Sequence, residues 1–117
     1  MIANKTRKTL LCRRTELANS FWRKARGLMF RESLPRDSGM LFIFPRPGRP
    51  GFWTPFMRFP IDLVFIGSSK RILEIRENLK PWQMCRPRAP AKYALELRAG
   101  GAGKARARPG DLLEFRV

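Results

Sequence analysis

At 117 residues, with 44% hydrophobic and 29% charged residues, the chain fits one compact domain, long enough to bury roughly two-thirds of its unfolded surface. Twenty-five Lys and Arg stand against nine Asp and Glu, a formal net charge of +16, and eighteen of those cations are Arg. Nine acids cannot neutralise them, so a positive field survives folding and attracts polyanions at low salt. With no histidine and only Cys12 and Cys85 as thiols, His-ligated metals and every Ser-His or Cys-His nucleophile pair are excluded, and a zinc cluster lacks ligands.

The cations are scattered in pairs and triplets such as Arg13 with Arg14, Arg86 with Arg88, and Lys104, Arg106 and Arg108, without the long like-charge block of a binding tail. Two readings follow: solvated faces of an Arg-rich protein, or the footprint of a nucleic acid. The N-terminal stretch "MIANKTRKTLLCRRTELANSF" has early positive charge but no apolar run of the kind a signal peptide needs. Arg58 and Asp62 interrupt the best candidate for a membrane span. The expectation is a cytoplasmic protein without a membrane span.

In chain order, "KTLLCRRT" at 8–15 reads as a first strand. The period then changes: Leu17, Phe21, Lys24 and Leu28 fall at helical spacings, and Gly27 stands where a C-cap would, which predicts a short helix over 17–26. "RESLPRDSG" is a loop and "MLFIF" a buried strand. "PRPGRPG" at 45–51, with three prolines and two glycines, predicts an irregular loop.

Next comes "FWTPFMRFPIDLVFIG" at 52–67, which Pro55 and Pro60 divide into a short strand at "FWT" and a second at "IDLVFI". "GSSK" turns the chain into "RILEIREN", making a hairpin. "LKPWQMCRPRAPAK" is irregular, with Trp82 and Met84 as its large apolar anchors, and "YALELR" is a strand. "AGGAGKARA" reads as a glycine-rich loop, and "PGDLLEFRV" as a turn and a last strand. Six or seven short strands with one helix predict an α+β, β-dominated single domain, a mostly antiparallel barrel or half-barrel.

Three pieces in series, "RGLMFRESLPRDSGMLFIF", "GFWTPFMRFPIDLVFI" and "AKYALELRAGGAGKARARPGD", make the chain resemble the family called domain of unknown function 192, or UPF0127, over about residues 10–116. The resemblance implies a small β-rich fold and no settled activity. It places the family's recurring positions on Arg26, Gly27, Leu28, Met29 and Arg31, on Gly39, Met40, Phe42 and Phe44, on Phe52, Trp53, Pro60 and Asp62, and on Glu96, Gly100, Gly110 and Asp111. The chain departs from the family at Thr54, Arg58 and Phe59, where many relatives carry a Met and an Asn-Thr pair.

Asp62 is the polar residue of the apolar stretch, and if buried it needs a partner, for which Arg26, Arg31 and Arg58 are the candidates. The functional expectation is a non-catalytic binding module whose aromatic-lined cleft, built from Phe52 and Trp53 with Arg26, Arg31, Arg58 and Asp62, takes a small polar or anionic ligand. The alternatives are a nucleic-acid-binding accessory protein using Lys104, Arg106 and Arg108, and a hydrolase in which Asp62 and Glu96 form a carboxylate pair. Neither a metal nor a cofactor is called for.

Overall fold

The computed structural model describes residues 1–18, 34–54 and 57–116. Its strands are β1 (Ile2–Asn4), β2 (Thr9–Cys12), β3 (Arg14–Ala18), β4 (Ser38–Gly48), β5 (Phe52–Trp53), β6 (Ile61–Ile66), β7 (Ile72–Leu79), β8 (Met84–Cys85), β9 (Ala91–Arg98) and β10 (Leu113–Phe115), and a one-turn helix α1 (Gly101–Lys104) separates β9 from β10. A five-stranded sheet ordered β3-β4-β9-β6-β7 forms the centre, a three-stranded sheet ordered β10-β1-β2 stands beside it, and β5 pairs with β8 as a short ribbon. All pairings are antiparallel except β3 with β4. The fold is therefore α+β and strand-dominated as expected, although among the described residues the sheets do not close into a barrel.

The apolar run of "IDLVFI", broken by Asp62 alone, explains the layering. A strand with one wet face alternates, whereas every residue of β6 is buried, so both faces of the central sheet are covered. Leu41, Val64, Ile66, Leu95 and Leu97 face one way and pack on Ile2, Leu11, Cys12 and Leu113 of the small sheet and on Ala102 and Ala105 around α1. Met40, Phe42, Leu63, Phe65 and Ala94 face the other way and pack with Leu34, Met57 and Cys85, with Phe52 and Phe59 at the margin. The small sheet approaches closely at Gly39, where an added Cβ would lie 3.0 Å from Leu95 and 3.1 Å from Cys12 Sγ.

Three local expectations change. Leu17 and Ala18, assigned to a helix by their spacing, belong to β3, because parallel pairing sets them against Leu41 and Phe42 and buries Ala18 fully; the remainder of that predicted helix lies outside the described residues. The stretch 45–51 is not wholly loop: β4 runs on through Pro45, Arg46, Pro47 and Gly48, since proline's fixed φ is compatible with extended backbone at a sheet margin. There Lys92 Nζ donates to the carbonyls of Phe44 (2.5 Å) and Pro45 (3.1 Å), and Arg49 Nε donates to that of Pro87 (2.8 Å). The glycine-rich stretch after β9 closes one helical turn rather than remaining a loop, with Lys104 N–H donating to the Gly100 carbonyl at 2.9 Å. The β6–β7 hairpin forms as expected, its turn closed by Gly67 N–H to Arg71 O and Lys70 N–H to Gly67 O, both 2.9 Å.

Candidate functional site

Asp62 lies on β6 with its side chain almost fully buried, and its acceptors are filled by backbone rather than by arginine. Oδ1 accepts the Asn78 N–H at 2.9 Å, and Oδ2 accepts the Gly100 N–H at 3.1 Å and the Ala102 N–H at 3.0 Å. The first turn of α1 presents orphan donors, and its N-cap position is Gly100, which has no side chain to satisfy them and sits at φ +93°, a conformation open to glycine. A carboxylate from the neighbouring strand takes over the capping work. The expected partner Arg58 is exposed, and Arg26 and Arg31 lie outside the described residues.

Asp62 also points away from the aromatics it was expected to accompany. In the β6–β9 register Asp62 stands opposite Leu97, on the side of the small sheet, while Leu63 stands opposite Glu96, on the side of Phe42 and Phe65. Glu96 is buried there, so the two carboxylates of the hydrolase reading have the sheet between them. A third buried carboxylate, Asp111, accepts from Asn4 Nδ2 (2.9 Å), the Arg108 N–H (3.0 Å) and Arg7 Nε (3.1 Å), tying the last turn to the N-terminal strand. Burial acts to raise its pKa, but these donors prevail and hold it below the usual carboxylate range.

The aromatic stretch divides between core and surface. Phe52 packs edge-on against Phe42, Phe44 and Phe65 at centroid distances of 5.3, 6.2 and 5.7 Å, forming part of the core. Its neighbour Trp53 points the other way, as strand pleating requires, and remains 57% exposed. Trp53 meets Trp82, also 57% exposed, edge-to-face at 6.2 Å, and its β-ladder partner is Met84, 69% exposed. Together they form an apolar patch on the β5–β8 ribbon, and among the described residues they are the large apolar side chains left exposed.

That patch is held on a fixed frame. The buried Thr54 hydroxyl accepts the Gln83 N–H at 2.8 Å and lies within donating distance of the Lys80 and Gln83 carbonyls at 2.8 and 3.0 Å. Thr54 N–H donates to Gln83 O, and Trp82 N–H to Thr54 O. Trp82 itself has φ +64°, an uncommon conformation for a bulky residue, and it turns the indole outward. Two cationic residues belong to the frame's segments: exposed Lys80, whose carbonyl faces the Thr54 hydroxyl, and Arg86, whose guanidinium lies 3.7 Å from where a Cβ on Gly51 would stand. From Met84 a depression of about 460 Å³ continues between β7 and β8, lined also by Ile75, Arg76, Glu77, Gln83 and Cys85.

Thr54, Trp82 and Met84 are the residues that single-sequence reasoning under-used. The signal was present: two large apolar residues in a proline-rich stretch between Lys80 and Arg86 have no periodic face to bury. Lys104, Arg106 and Arg108 are exposed on α1 and the turn after it. Among the described residues no group of Cys, Asp and Glu gathers to hold a metal ion, and no helix is long and apolar enough to cross a membrane.

The geometry defines a small, strand-dominated domain with a doubly covered central sheet and an exposed aromatic ribbon at β5–β8. The family model of DUF192, described as an uncharacterized ACR, matches residues 2–115, and the chain belongs to this family, whose curated members carry the name UPF0127. It is 35% identical to a UPF0127 protein of Pyrococcus furiosus over 100 residues, covering 84% of this chain and 83% of that one. It is 29% identical to one from Thermococcus sibiricus over 119 residues, covering 100% of this chain and 75% of the relative. Two solved structures superpose with a TM-score of 0.81: a protein of unknown function from Novosphingobium aromaticivorans, 32% identical over 86% of this chain and 74% of the other, and a candidate transcription regulator from Sinorhizobium meliloti, 36% identical over 86% and 79%.

Proposed function

We propose that the protein is a non-catalytic binding module whose contact surface is the Trp53–Trp82–Met84 patch, and that its ligand is a small anion carrying a flat apolar ring. One observation carries the reading: two indoles, each 57% exposed, held against each other on a hydrogen-bonded frame whose segments also carry Lys80 and Arg86. Exposed indole offers a π face for stacking, and Lys80 and Arg86 supply the attraction for negative charge. The positive φ at Trp82 supports it further, since backbone strain of this kind concentrates at binding and switch positions. Asp62 has no part in this surface; its role is to cap α1.

The test uses the indoles as reporters. Tryptophan fluorescence is titrated with an anilinonaphthalene sulfonate and with adenosine monophosphate, in the wild type and in Trp53→Ala and Trp82→Ala. Saturable quenching that weakens at least about tenfold in each variant supports the reading, stacking being worth roughly 1–3 kcal/mol. Unchanged affinity in the variants, or no saturation by either probe, rules the surface out.

A second reading, nucleic-acid binding, is favoured by the exposed cations Lys104, Arg106 and Arg108 together with the net charge of +16. It requires affinity for single-stranded or duplex oligonucleotides that falls linearly with the logarithm of salt and drops uniformly across sequences when these three are neutralised. Absence of binding at physiological salt eliminates it.

A further inference from the structure

A positively charged concavity of the described surface lies elsewhere. A depression of about 660 Å³ opens between β2, the segment 36–38 leading into β4, the end of β9 and α1. Arg13, Arg36, Arg98 and Lys104 line it against one acid, Asp37, and all five are exposed. None of the four cations is engaged in a side-chain hydrogen bond or ion pair among the described residues. Like charges converging on one concavity with a single carboxylate among them repel, and the field they focus attracts a multiply charged counter-ion.

The walls that carry these cations are fixed by the fold. Arg13 N–H and Arg14 N–H both donate to the Asp37 carbonyl, at 2.6 and 2.9 Å, joining the β2–β3 corner to the entry of β4. Thr9 Oγ1 donates to the Ala105 carbonyl at 2.6 Å, joining β2 to the end of α1. From beneath, Asp62 holds the N–H groups of Gly100 and Ala102. A concavity whose walls are set before binding spends little on ordering them.

We propose that this depression is a binding site for a small polyphosphate anion. Three of the four cations are Arg, whose planar fork matches phosphate oxygens in bidentate fashion. The volume lies in the range of small-ligand sites. No aromatic side chain lines it, so recognition rests on the phosphate chain and not on a base. Four converging cations suit several linked phosphates better than one divalent anion. The site shares no residue with the Trp53–Trp82 surface and stands or falls independently of it, whereas Lys104 also belongs to the nucleic-acid reading.

The experiment is calorimetric titration of the full chain at low salt with inorganic tripolyphosphate, with sulfate, and with a single-stranded oligonucleotide. Tripolyphosphate is expected to bind saturably and at least about tenfold more tightly than sulfate, as multiple charge-assisted contacts require. The double variant Arg36→Ala/Arg98→Ala is expected to weaken it by about tenfold or more, while Arg46→Ala, an exposed cation toward the far end of β4, changes it less than about twofold. All these side chains are exposed, and thermal midpoints matching the wild type confirm that the variants fold. The proposal is overturned if tripolyphosphate gives no saturable heat, if sulfate matches it, if Arg46→Ala weakens it as much as the double variant, or if the oligonucleotide alone binds.

Discussion

Asp62 and Glu96 sit on adjacent strands one step apart in register, yet the pleat sends their carboxylates to opposite faces of the central sheet. A pair of carboxylates serves one glycosidic bond when the two flank it about 5 to 10 Å apart in a shared cleft. Here a layer of packed backbone separates them, and each works in a different core. What Asp62 does instead is hold three backbone N–H groups, those of Gly100 and Ala102, which the glycine-rich turn cannot satisfy for itself, and that of Asn78 on β7.

Removing that carboxylate leaves three donors without their acceptor, that of Ala102 buried and those of Asn78 and Gly100 part-buried. Asp62→Ala is expected to lower stability by about 2–3 kcal/mol, and Asp62→Asn by less, since the amide retains one acceptor oxygen. The change should be local first: hydrogen exchange at the Gly100 and Ala102 amides accelerates in both variants before the central strands open. Equal protection at those amides in wild type and Asp62→Ala contradicts the capping role.

Asp111 makes stability depend on pH, and the sign is fixed by the direction of its shift. Its folded pKa lies below the ordinary 3.8, so its contribution is complete above that value and is lost as pH falls through the folded value. Thermal denaturation should therefore show the gap between wild type and Asp111→Asn at full size near neutral pH and shrinking below about pH 4. A gap that persists undiminished to about pH 2 is incompatible with the network of Asn4, Arg7 and the Arg108 N–H.

How far these arrangements can be read from sequence depends on whether a residue's local pattern or its distant partner decides its role. "IDLVFI" and "YALELR" announce strands because their composition and length admit little else, and the "GSSK" turn fixes the hairpin between β6 and β7. Leu17 misleads, because helical spacing over a few residues is weaker than a parallel ladder to β4, 24 residues away in the Leu17↔Leu41 register. Ile2–Asn4 and the two-residue strands β5 and β8 are too short to carry a period at all. The apolar surface around "FWT" was legible as a residue surplus, whereas the convergence of Arg13, Arg36 and Arg98 depends on a topology that no window of sequence contains.

Gly39 is where the small sheet's approach is tested. A Cβ there would meet Leu95 Cδ1 at 3.0 Å, and Cys12 Sγ and Leu97 Cδ2 at 3.1 Å, all from packed side chains of one core. Gly39→Val adds two further methyls and is expected to cost about 1–3 kcal/mol in urea unfolding, the range of overpacked cores. An unchanged midpoint shows that β2 can withdraw from β4 without loss.

The two thiols give the last test of the layering. Cys12 belongs to the core beneath the small sheet and Cys85 to the core on the opposite face, and both are free. Burial pushes both thiols up: for Cys12 it outweighs the contact with Thr15 and the positive N-terminus, and for Cys85 it outweighs the nearby Arg76. Little thiolate is present near neutral pH, and access is blocked as well, so a disulfide reagent at about pH 8 should modify the folded protein on the order of a hundredfold more slowly than the guanidinium-unfolded chain. The unfolded chain should then yield two thiols, and a mass lower by two hydrogens in the untreated protein, the mark of a Cys12–Cys85 bridge, is incompatible with a sheet standing between them.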